Sequence, residues 1–471
     1  MMKGAQQSTM WRRIAQSATC FTFGALLTAC AAGGEMNNPD SAVFQLSFDP
    51  YFAEASVLRL IADARKTIDI SLYELDNKNI ANALVEAHQR RGITVRMSTD
   101  FDSESTPGYQ TVILAGIPVK LGNGSAIMHN KYIIVDSKYV VTGSTNLKGD
   151  APLWGYTPTG MYAHFNNMAI VKSPELAADY QRDFNVQLKG YYGGSGATSK
   201  DAGFAATWPE QKYSLGQQIV QPFFTPYNDS FPSYRSNLLN DPNCTATCIF
   251  PTAVSNPSAT QIDTQCGLPS CTDNYCFDNT SGTATNKGRM IYRYYNYDKS
   301  QYECRAGSNS YDVYRSALNI VISQIRQAKK SLTFLVFAFT DRILMNELMN
   351  AKARGVDVKV WMDYNQYRST TQLRSLLIQL RNALGAVKLC RKWDSGLLHH
   401  KVLLIDDKSV ILGSMNYSNA GANDNDENFL LIENAEGIVG MFKQEIGRID
   451  QQSFYLPPVE DDGSYIGNAG D

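Results

Sequence analysis

The sequence predicts an α/β protein built from two copies of one unit, each with a largely parallel sheet flanked by helices. Three observations predict this fold: a repeated helix–strand segment, a second helix–strand pair in each copy, and a polar motif that recurs with unchanged spacing. The chain has 471 residues, 44% of them hydrophobic, which is enough to form two separate cores. Its 11% aromatic content excludes a wholly disordered chain.

The repeat begins with a helix followed by a buried strand. Residues 57–73 and 321–337 share apolar positions at helical spacing, then basic residues, then an apolar run. A second helix and strand follow in residues 80–97 and 344–360, with a glycine after the helix in both copies. Because such a glycine favours a left-handed cap, it marks the end of the helix.

The repeat divides the chain into domains. The first unit spans 43–189 and the second spans 217–456. Between them, residues 190–216 begin rich in Gly and Ser, and this composition predicts a linker. The second unit contains an insert at 229–308, and residues 457–471 form a C-terminal tail.

The N-terminus has the features of an export signal. Residues 1–30 combine three basic side chains with a short, interrupted apolar run that is a poor candidate for a spanning helix. The run ends in Leu-Thr-Ala-Cys, which resembles the lipobox of bacterial lipoproteins and predicts lipidation of Cys30. An ordinary cleaved signal is the alternative. Residues 31–42 then form a tether, and the protein is expected in the cell envelope, on the outer membrane or periplasmic face, or secreted.

The balance of charges argues against general attraction to nucleic acid. The whole chain has 43 basic and 45 acidic residues and a net charge of −2. Residues 1–29 contain three basic and no acidic side chains, so their removal changes the net charge from −2 to −5. A protein that binds DNA through its whole surface usually has a basic excess.

Six of the nine cysteines lie in the insert. They are Cys244, Cys248, Cys266, Cys271, Cys276 and Cys304. In an exported protein, an even set of cysteines predicts three disulfides in a loop-rich module, with fifteen pairings open. A metal site is the alternative, although paired C-x-x-C knuckles are missing from the sequence.

One polar motif, H-x-K-x4-D-x6-G-S-x-N, occurs in both copies. In the first copy its residues are His129, Lys131, Asp136, Ser144 and Asn146. In the second copy they are His399, Lys401, Asp406, Ser414 and Asn416. Alternation along a strand places His and Lys on one side, and a hairpin return brings Ser and Asn back to the same end.

These residue types suit a phosphate ester. A lysine places positive charge against phosphoryl oxygens, and Ser and Asn supply hydrogen bonds. Asp136 and Asp406 belong to the candidate catalytic motif, but their position at predicted turns favours a structural role through bonds to the backbone. His400 has the wrong register and points to the opposite face of its strand.

The doubled motif resembles that of the phospholipase D superfamily. The resemblance covers residues 43–455 except the insert. It implies two α/β/α sandwich domains with mixed, largely parallel sheets packed about a pseudo-dyad. It also implies cleavage of a phosphodiester without metal or cofactor through a covalent phosphohistidine, with His129 as nucleophile and His399 as general acid and base, or the reverse.

The resemblance also implies a carboxylate that orients a histidine. Glu427, which we group with the substrate-binding candidates, stands at that position in the second copy. Asn166 stands at the equivalent position of the first copy. This departure predicts either a weaker first half or different roles for the two histidines.

Several functions fit this sequence. The favoured function is a phospholipase D that hydrolyses glycerophospholipid headgroups at a membrane. The alternatives are an exported metal-independent endonuclease with nucleic acid as substrate, a phosphatidyl transferase of the cardiolipin-synthase kind, and a binding module without activity. Because one chain carries both motifs, we expect a monomer to be active.

Overall fold

A computed structural model describes most of both repeats. It covers residues 44–149, 153, 164–194, 200, 211–226, 317–369, 371–390, 396–418 and 420–456, and the backbone of three strands within 275–306. The predicted signal peptide with Cys30, the tether, four of the insert cysteines and the tail lie outside the described residues.

The first repeat forms a seven-stranded sheet with the order β1-β7-β6-β5-β2-β3-β4. Its elements are β1 (Phe44–Ser47), α1 (Pro50–Asp63), β2 (Thr67–Leu72), α2 (Lys78–Arg91), β3 (Thr94–Thr99), α3 (Pro107–Leu114), β4 (Val119–Leu121), β5 (Lys131–Val135), β6 (Tyr139–Gly143), β7 (Met168–Lys172) and α4 (Pro174–Leu188).

The second repeat forms a nine-stranded sheet with the order β19-β15-β14-β13-β16-β17-β18-β9-β8. The elements of this half, with those of the insert, are β8 (Tyr213–Leu215), β9 (Gln218–Thr225), β10 (Tyr275–Asp278), β11 (Arg289–Asn296), β12 (Gln301–Ala306), α5 (Leu318–Gln327), β13 (Ser331–Val336), α6 (Arg342–Ala353), β14 (Asp357–Asp363), α7 (Tyr364–Ser369), α8 (Thr371–Leu384), β15 (Lys388–Cys390), β16 (Lys401–Ile405), β17 (Ser409–Gly413), β18 (Glu427–Glu433), α9 (Glu436–Asp450) and β19 (Ser453–Tyr455).

Both sheets are mixed, which confirms the predicted α/β class, but parallel pairing predominates in neither, so the predicted largely parallel sheets are corrected. Strands β2, β3 and β4 are parallel, as are β13, β14 and β15. The motif strands β5–β7 and β16–β18 are antiparallel. Parallel pairing is thus limited to the strands joined through helices, because the motif is built from consecutive antiparallel strands.

The insert contains regular structure where the sequence predicts loops. Strands β10, β11 and β12 form an antiparallel sheet of their own. Cys276 lies on β10 and Cys304 on β12. The predicted disulfides stay a prediction.

Matching caps fix the ends of the second helix in each repeat. Helix α2 begins at the side-chain cap of Asn77, and α6 begins at that of Asp341. Gly92 and Gly355 follow these helices with φ of +67° and +92°. The left-handed conformation predicted from the sequence is therefore present in both copies.

The motif hairpins share an uncommon turn. Asp136 and Ser137 have φ of 53° and 51°, and Asp406 and Asp407 have φ of 52° and 59°. Positive φ at both central residues is the signature of a type I′ turn, whose twist matches that of the flanking strands. The turn therefore brings β6 beside β5 and β17 beside β16 in equivalent register. This shared geometry accounts for the equal spacing of the motif residues in the two copies.

Each repeat has its own hydrophobic core at equivalent positions. Ile68 and Ile70 of β2 are fully buried in the first half, as are Leu332 and Phe334 of β13 in the second. Among the described residues, no helix is both long and apolar enough to cross a membrane.

Residues 190–216 are predicted to be a linker, but the described residues Tyr192 and Gly193 of this segment pack between the halves. Tyr192 is buried, with its hydroxyl 3.0 Å from Ser98 Oγ. The amide of Gly193 donates to Asp426 Oδ2 at 2.8 Å, and a Cβ on this glycine would clash with the carbonyl of Asp424. Gly193 thus permits close approach of the backbones where the sequence predicts only flexibility.

Lys200, in the same segment, joins two carboxylates at the interface. Its Nζ is fully buried and lies 2.8 Å from Asp183 Oδ1 and 2.6 Å from Asp426 Oδ1. Asp183 lies on α4 of the first half, and Asp426 immediately precedes β18 of the second. Because both carboxylates are buried, each needs the lysine charge.

We predict that Lys200→Met lowers the free energy of unfolding by about 3–5 kcal/mol, because it leaves two buried carboxylates without their cation. The matched control is the triple variant Lys200→Met, Asp183→Asn, Asp426→Asn, which removes all three charges and should recover most of the loss. Urea denaturation measures both values. A single variant as stable as the wild type would show that Lys200 does not hold the halves together.

Candidate active site

The two histidine–lysine pairs occupy equivalent places at the start of β5 and β16. Lys131 Nζ donates to the carbonyl of His129 at 2.9 Å, and Lys401 Nζ donates to that of His399 at 3.0 Å. Both lysines are almost completely buried. Each motif therefore holds its ammonium group beside its own histidine.

The backbone attaches each histidine to the opposite half. The amide of His129 donates to the carbonyl of Asp426 at 2.9 Å, and the amide of His399 donates to that of Phe165 at 2.9 Å. Short bridges between Met128 and Asp426, and between Phe165 and Leu398, lie at the same places. The two motifs therefore meet in a single centre.

The side chain behind each imidazole also comes from the opposite half. His129 Nδ1 lies 2.8 Å from both carboxylate oxygens of Glu427. His399 Nδ1 lies 2.9 Å from Asn166 Oδ1. The replacement of the expected carboxylate by Asn166 therefore affects His399. Glu427, grouped above with the substrate-binding candidates, instead contacts the His129 ring.

Ser144 and Ser414 hold these two partners. Ser144 Oγ donates to Asn166 Oδ1 at 3.0 Å, and Ser414 Oγ donates to Glu427 Oε2 at 2.6 Å. Both serines are fully buried. Their role therefore differs from the substrate binding predicted from the motif, because the hairpin return places them behind the histidine partners.

The glycine before each serine is required by the neighbouring strand. A Cβ on Gly143 would clash with the carbonyl of Asn167, and one on Gly413 would clash with that of Asn428. The amides of the two serines donate to the same carbonyls at 3.0 and 2.8 Å. Close approach of the backbones thus explains the Gly-Ser pair of the motif.

Asp136 and Asp406, included among the candidate catalytic residues, lie at the far ends of β5 and β16 from the histidines. Asp136 accepts hydrogen bonds from three consecutive backbone amides at Arg65, Lys66 and Thr67, at 2.7–3.0 Å. Asp406 makes the same contacts with residues 329–331. The prediction that these two aspartates are catalytic is therefore wrong. Their side chains bind the hairpin turn to the backbone at the start of β2 or β13.

The motif amides remain candidates for ligand binding. Asn146 Oδ1 and Asn416 Oδ1 are buried and have no hydrogen-bond partner in the described part of the chain. Asn146 Nδ2 lies 3.3 Å from Glu74 Oε2. A buried polar atom without a partner is costly, so a substrate group that bonds to it would bind favourably.

Burial and mutual repulsion shift the pKa values of the centre. Burial lowers the pKa of Lys131 to about 7. Burial and the charge of Lys131 lower the pKa of Lys401 well below its usual value. Burial and both lysines lower the pKa values of His129 and His399 well below 6.5. Burial raises the pKa of Glu427 to about 8. A bound phosphate anion would relieve the repulsion between the lysines.

Aromatic rings flank both histidine–lysine pairs. The Tyr73 ring centroid lies 5.2 Å from that of His129 and 5.3 Å from Lys131 Nζ. Phe337 lies 4.9 Å from the His399 ring and 5.0 Å from Lys401 Nζ. Sequence analysis missed these residues, although both directly follow the repeated strands β2 and β13.

A repeated aspartate positions the segment before each histidine. Asp100 Oδ2 accepts from the Met128 amide at 2.8 Å, and Asp363 Oδ2 accepts from the Leu398 amide at 2.9 Å. Asp100 follows β3, and Asp363 ends β14. The sequence analysis also missed these two aspartates. They could have been found because they occupy the same position at the end of the second parallel strand of each repeat.

No group of three or more His, Cys, Asp or Glu side chains arranged to hold a metal ion occurs within the described ranges. Lys131 and Lys401 are the groups that the two motifs bring to the centre and that carry positive charge when protonated.

The fold and the site define a duplicated α/β protein with one shared histidine–lysine centre. A family model described as "Cardiolipin synthase, PLD-like domain" matches residues 57–188 and 321–449. These segments make up more than half of the chain, and the chain belongs to this phospholipase D-like family.

The chain is also similar to individual relatives and to a solved structure. A phospholipase D of Rickettsia conorii is 34% identical over 116 residues, which are 25% of this chain and 56% of that protein. A mitochondrial cardiolipin hydrolase of Chlamydomonas reinhardtii is 28% identical over 130 residues, 27% of this chain and 54% of that protein. The chain therefore spans about half the length of these curated relatives. A solved phosphatidylserine synthase of Haemophilus influenzae Rd KW20 covers 88% of each chain, with a TM-score of 0.50 and 12% identity, and this likeness concerns the fold alone.

We predict that anion binding weakens as the pH rises through about 7, because Lys131 loses its charge there. Sulfate is the chosen probe, since it stays a dianion across this range. Its affinity should fall up to about tenfold per pH unit for each proton whose uptake is linked to binding. Calorimetric titration measures the affinity, and Lys131→Met is the control that should remove the dependence on Lys131. An affinity that is constant from pH 6 to 9 would contradict the lowered lysine pKa.

Proposed function

We propose that this protein is a phospholipase D-type phosphodiesterase that hydrolyses the headgroup ester of glycerophospholipids. The observation that carries the proposal is the composite centre, in which two imidazoles and two buried ammonium groups lie together. The relatives named phospholipase D and cardiolipin hydrolase support the same reaction class.

The first chemical step transfers the phosphatidyl group to the protein. His129 Nε2 attacks phosphorus, an N–P bond forms, and the bond from phosphorus to the headgroup oxygen breaks. His399, protonated at Nε2, gives its proton to the departing alkoxide. Lys131 and Lys401 stabilise the negative charge on the phosphoryl oxygens as the transition state forms.

The second step releases phosphatidic acid. A water molecule attacks phosphorus, His399 Nε2 takes its proton, and the N–P bond to His129 breaks. Glu427 stabilises the positive charge that the His129 ring carries while it is bonded to phosphorus. The cycle restores both histidines to their starting protonation states.

A phospholipid substrate is favoured over DNA by the surroundings of the site. Two exposed apolar residues are close in the chain to groups that position His129. Ile127 stands two positions before His129, and Phe101 follows Asp100, which accepts a hydrogen bond from the Met128 amide. The near balance of basic and acidic residues provides no general attraction to a polyanion. Apolar side chains beside the site suit the acyl region of a lipid surface.

The proposal includes a place for the enzyme at a membrane. Lipidation of Cys30 would tether the centre through residues 31–42 to the bacterial cell envelope, beside its substrate. Since one chain supplies both histidines, the proposed active form is a monomer.

The substrate is tested by analysing the products formed from phospholipid vesicles and from single- and double-stranded DNA. We expect release of headgroup and phosphatidic acid from vesicles and no cleavage of DNA. Cleavage of DNA without headgroup release would support the endonuclease alternative and contradict the proposal. Transfer of the phosphatidyl group to glycerol in place of water would indicate a transferase.

For the mechanism, we predict that His129→Ala and His399→Ala each lower headgroup release at least about 10³-fold, because each removes a group that moves a proton or bonds phosphorus. EDTA should leave the rate unchanged, since the two lysines supply the positive charge. His88→Ala on helix α2 is the histidine control and should retain activity. Loss of activity with EDTA would contradict the proposed lysine-based stabilisation.

A further inference from the structure

The two histidines of the centre differ in the kind of group behind them, an ionisable carboxyl in one case and a neutral amide in the other. Glu427 places a carboxylate on His129 Nδ1, whereas Asn166 places a neutral amide oxygen on His399 Nδ1. The six specified positions of the H-x-K-x4-D-x6-G-S-x-N motif carry the same residue types in both halves, so the difference between Glu427 and Asn166 breaks the symmetry of the site.

The hydrogen bonds around Ser144 fix the orientation of the Asn166 amide. Ser144 Oγ accepts from the backbone amide of Asn167 at 3.0 Å, so its own proton is available to Asn166 Oδ1, also at 3.0 Å. The Asn166 oxygen therefore faces both Ser144 and His399. As a result, His399 Nδ1 carries a proton in the neutral ring, and its Nε2 carries the lone pair.

An amide and a carboxylate affect an imidazole differently. A carboxylate stabilises the protonated ring by a charge–charge interaction, and an amide oxygen offers only a dipole. With Asn166 behind it, His399 is a stronger acid when protonated and a weaker base when neutral. The first step of the proposed reaction needs the acid, and the second step needs the base.

We infer that Asn166 makes His399 poorly suited to activate water, so that breakdown of the phosphohistidine on His129 limits turnover and the intermediate accumulates. This inference rests on the proposed function, and it makes Asn166 a positioning residue that acts through His399. The carboxylate of Glu427 supports the accumulation, because it stabilises the cationic phosphorylated ring of His129.

The first test follows 4-nitrophenolate release from bis(4-nitrophenyl) phosphate by stopped flow. This leaving group departs as an anion and needs no proton from His399, so the first step is fast and the second depends on His399 as base. We expect a burst close to one equivalent per active site, followed by slow turnover. Hydrolysis by the wild type without a burst would overturn the inference while leaving the proposed phosphodiesterase in place. No hydrolysis of this ester or of phospholipid would instead overturn the proposed function.

The variant Asn166→Asp tests the role of the amide itself. It places a carboxylate behind His399, as Glu427 does behind His129, and should raise the steady-state rate about three- to tenfold and reduce the burst. It should also move the acid limb of the kcat profile to higher pH, a shift that a merely structural role would not produce. An unchanged profile with an unchanged or lower rate would show that Asn166 does not limit the second step.

A second measurement uses the wild type and does not depend on folding of a variant. Glycerol offers an alternative nucleophile to the phosphohistidine. If breakdown is rate-limiting, added glycerol should raise steady-state 4-nitrophenolate release and yield a glycerol phosphodiester. Sucrose at matched viscosity is the control. A release rate that glycerol leaves unchanged would overturn the inference.

Discussion

The exchange of hydrogen bonds between the two halves is the constraint on which the rest of the structure depends. Glu427 of the second half bonds His129, and Asn166 of the first half bonds His399. Neither half holds a complete centre, because each supplies the imidazole of one motif and the partner of the other. The type I′ hairpins, the Gly-Ser pairs and the buried Lys200 all serve to hold these partners in place.

The composite centre is built at a cost in stability. Two ammonium groups, two imidazoles and a carboxylate are removed from water, and burial disfavours their charged forms. The lowered pKa values of Lys131 and Lys401 reflect this cost. A phosphodiester offsets it by bringing a negative charge between the lysines, so the energy of burial becomes affinity for the substrate and its transition state.

The sequence predicts the elements within each repeat, but it does not predict the contacts between the two repeats. Helix caps, the βαβ strands, both motif hairpins and the position of Asn166 follow from matching the two copies. Which histidine Asn166 contacts does not follow, because that contact joins the halves. The sequence correctly places the two motif serines at the histidine end of each hairpin, but it wrongly predicts that they bind substrate. The register of a hairpin does not show whether a side chain faces the substrate or the partner of a histidine. Lys200 lies outside the repeat in a Gly-rich segment, where composition indicates only flexibility.

The central claim is that His129 bonds phosphorus and His399 transfers protons. Intact-protein mass spectrometry with peptide mapping, after reaction with bis(4-nitrophenyl) phosphate, tests it most directly. The account predicts a stable phosphoryl adduct on His129 in the His399→Ala protein, because the leaving group needs no acid and water has no base. It predicts no adduct in the His129→Ala protein. An adduct on His399 in the His129→Ala protein, or none in either, would contradict the account.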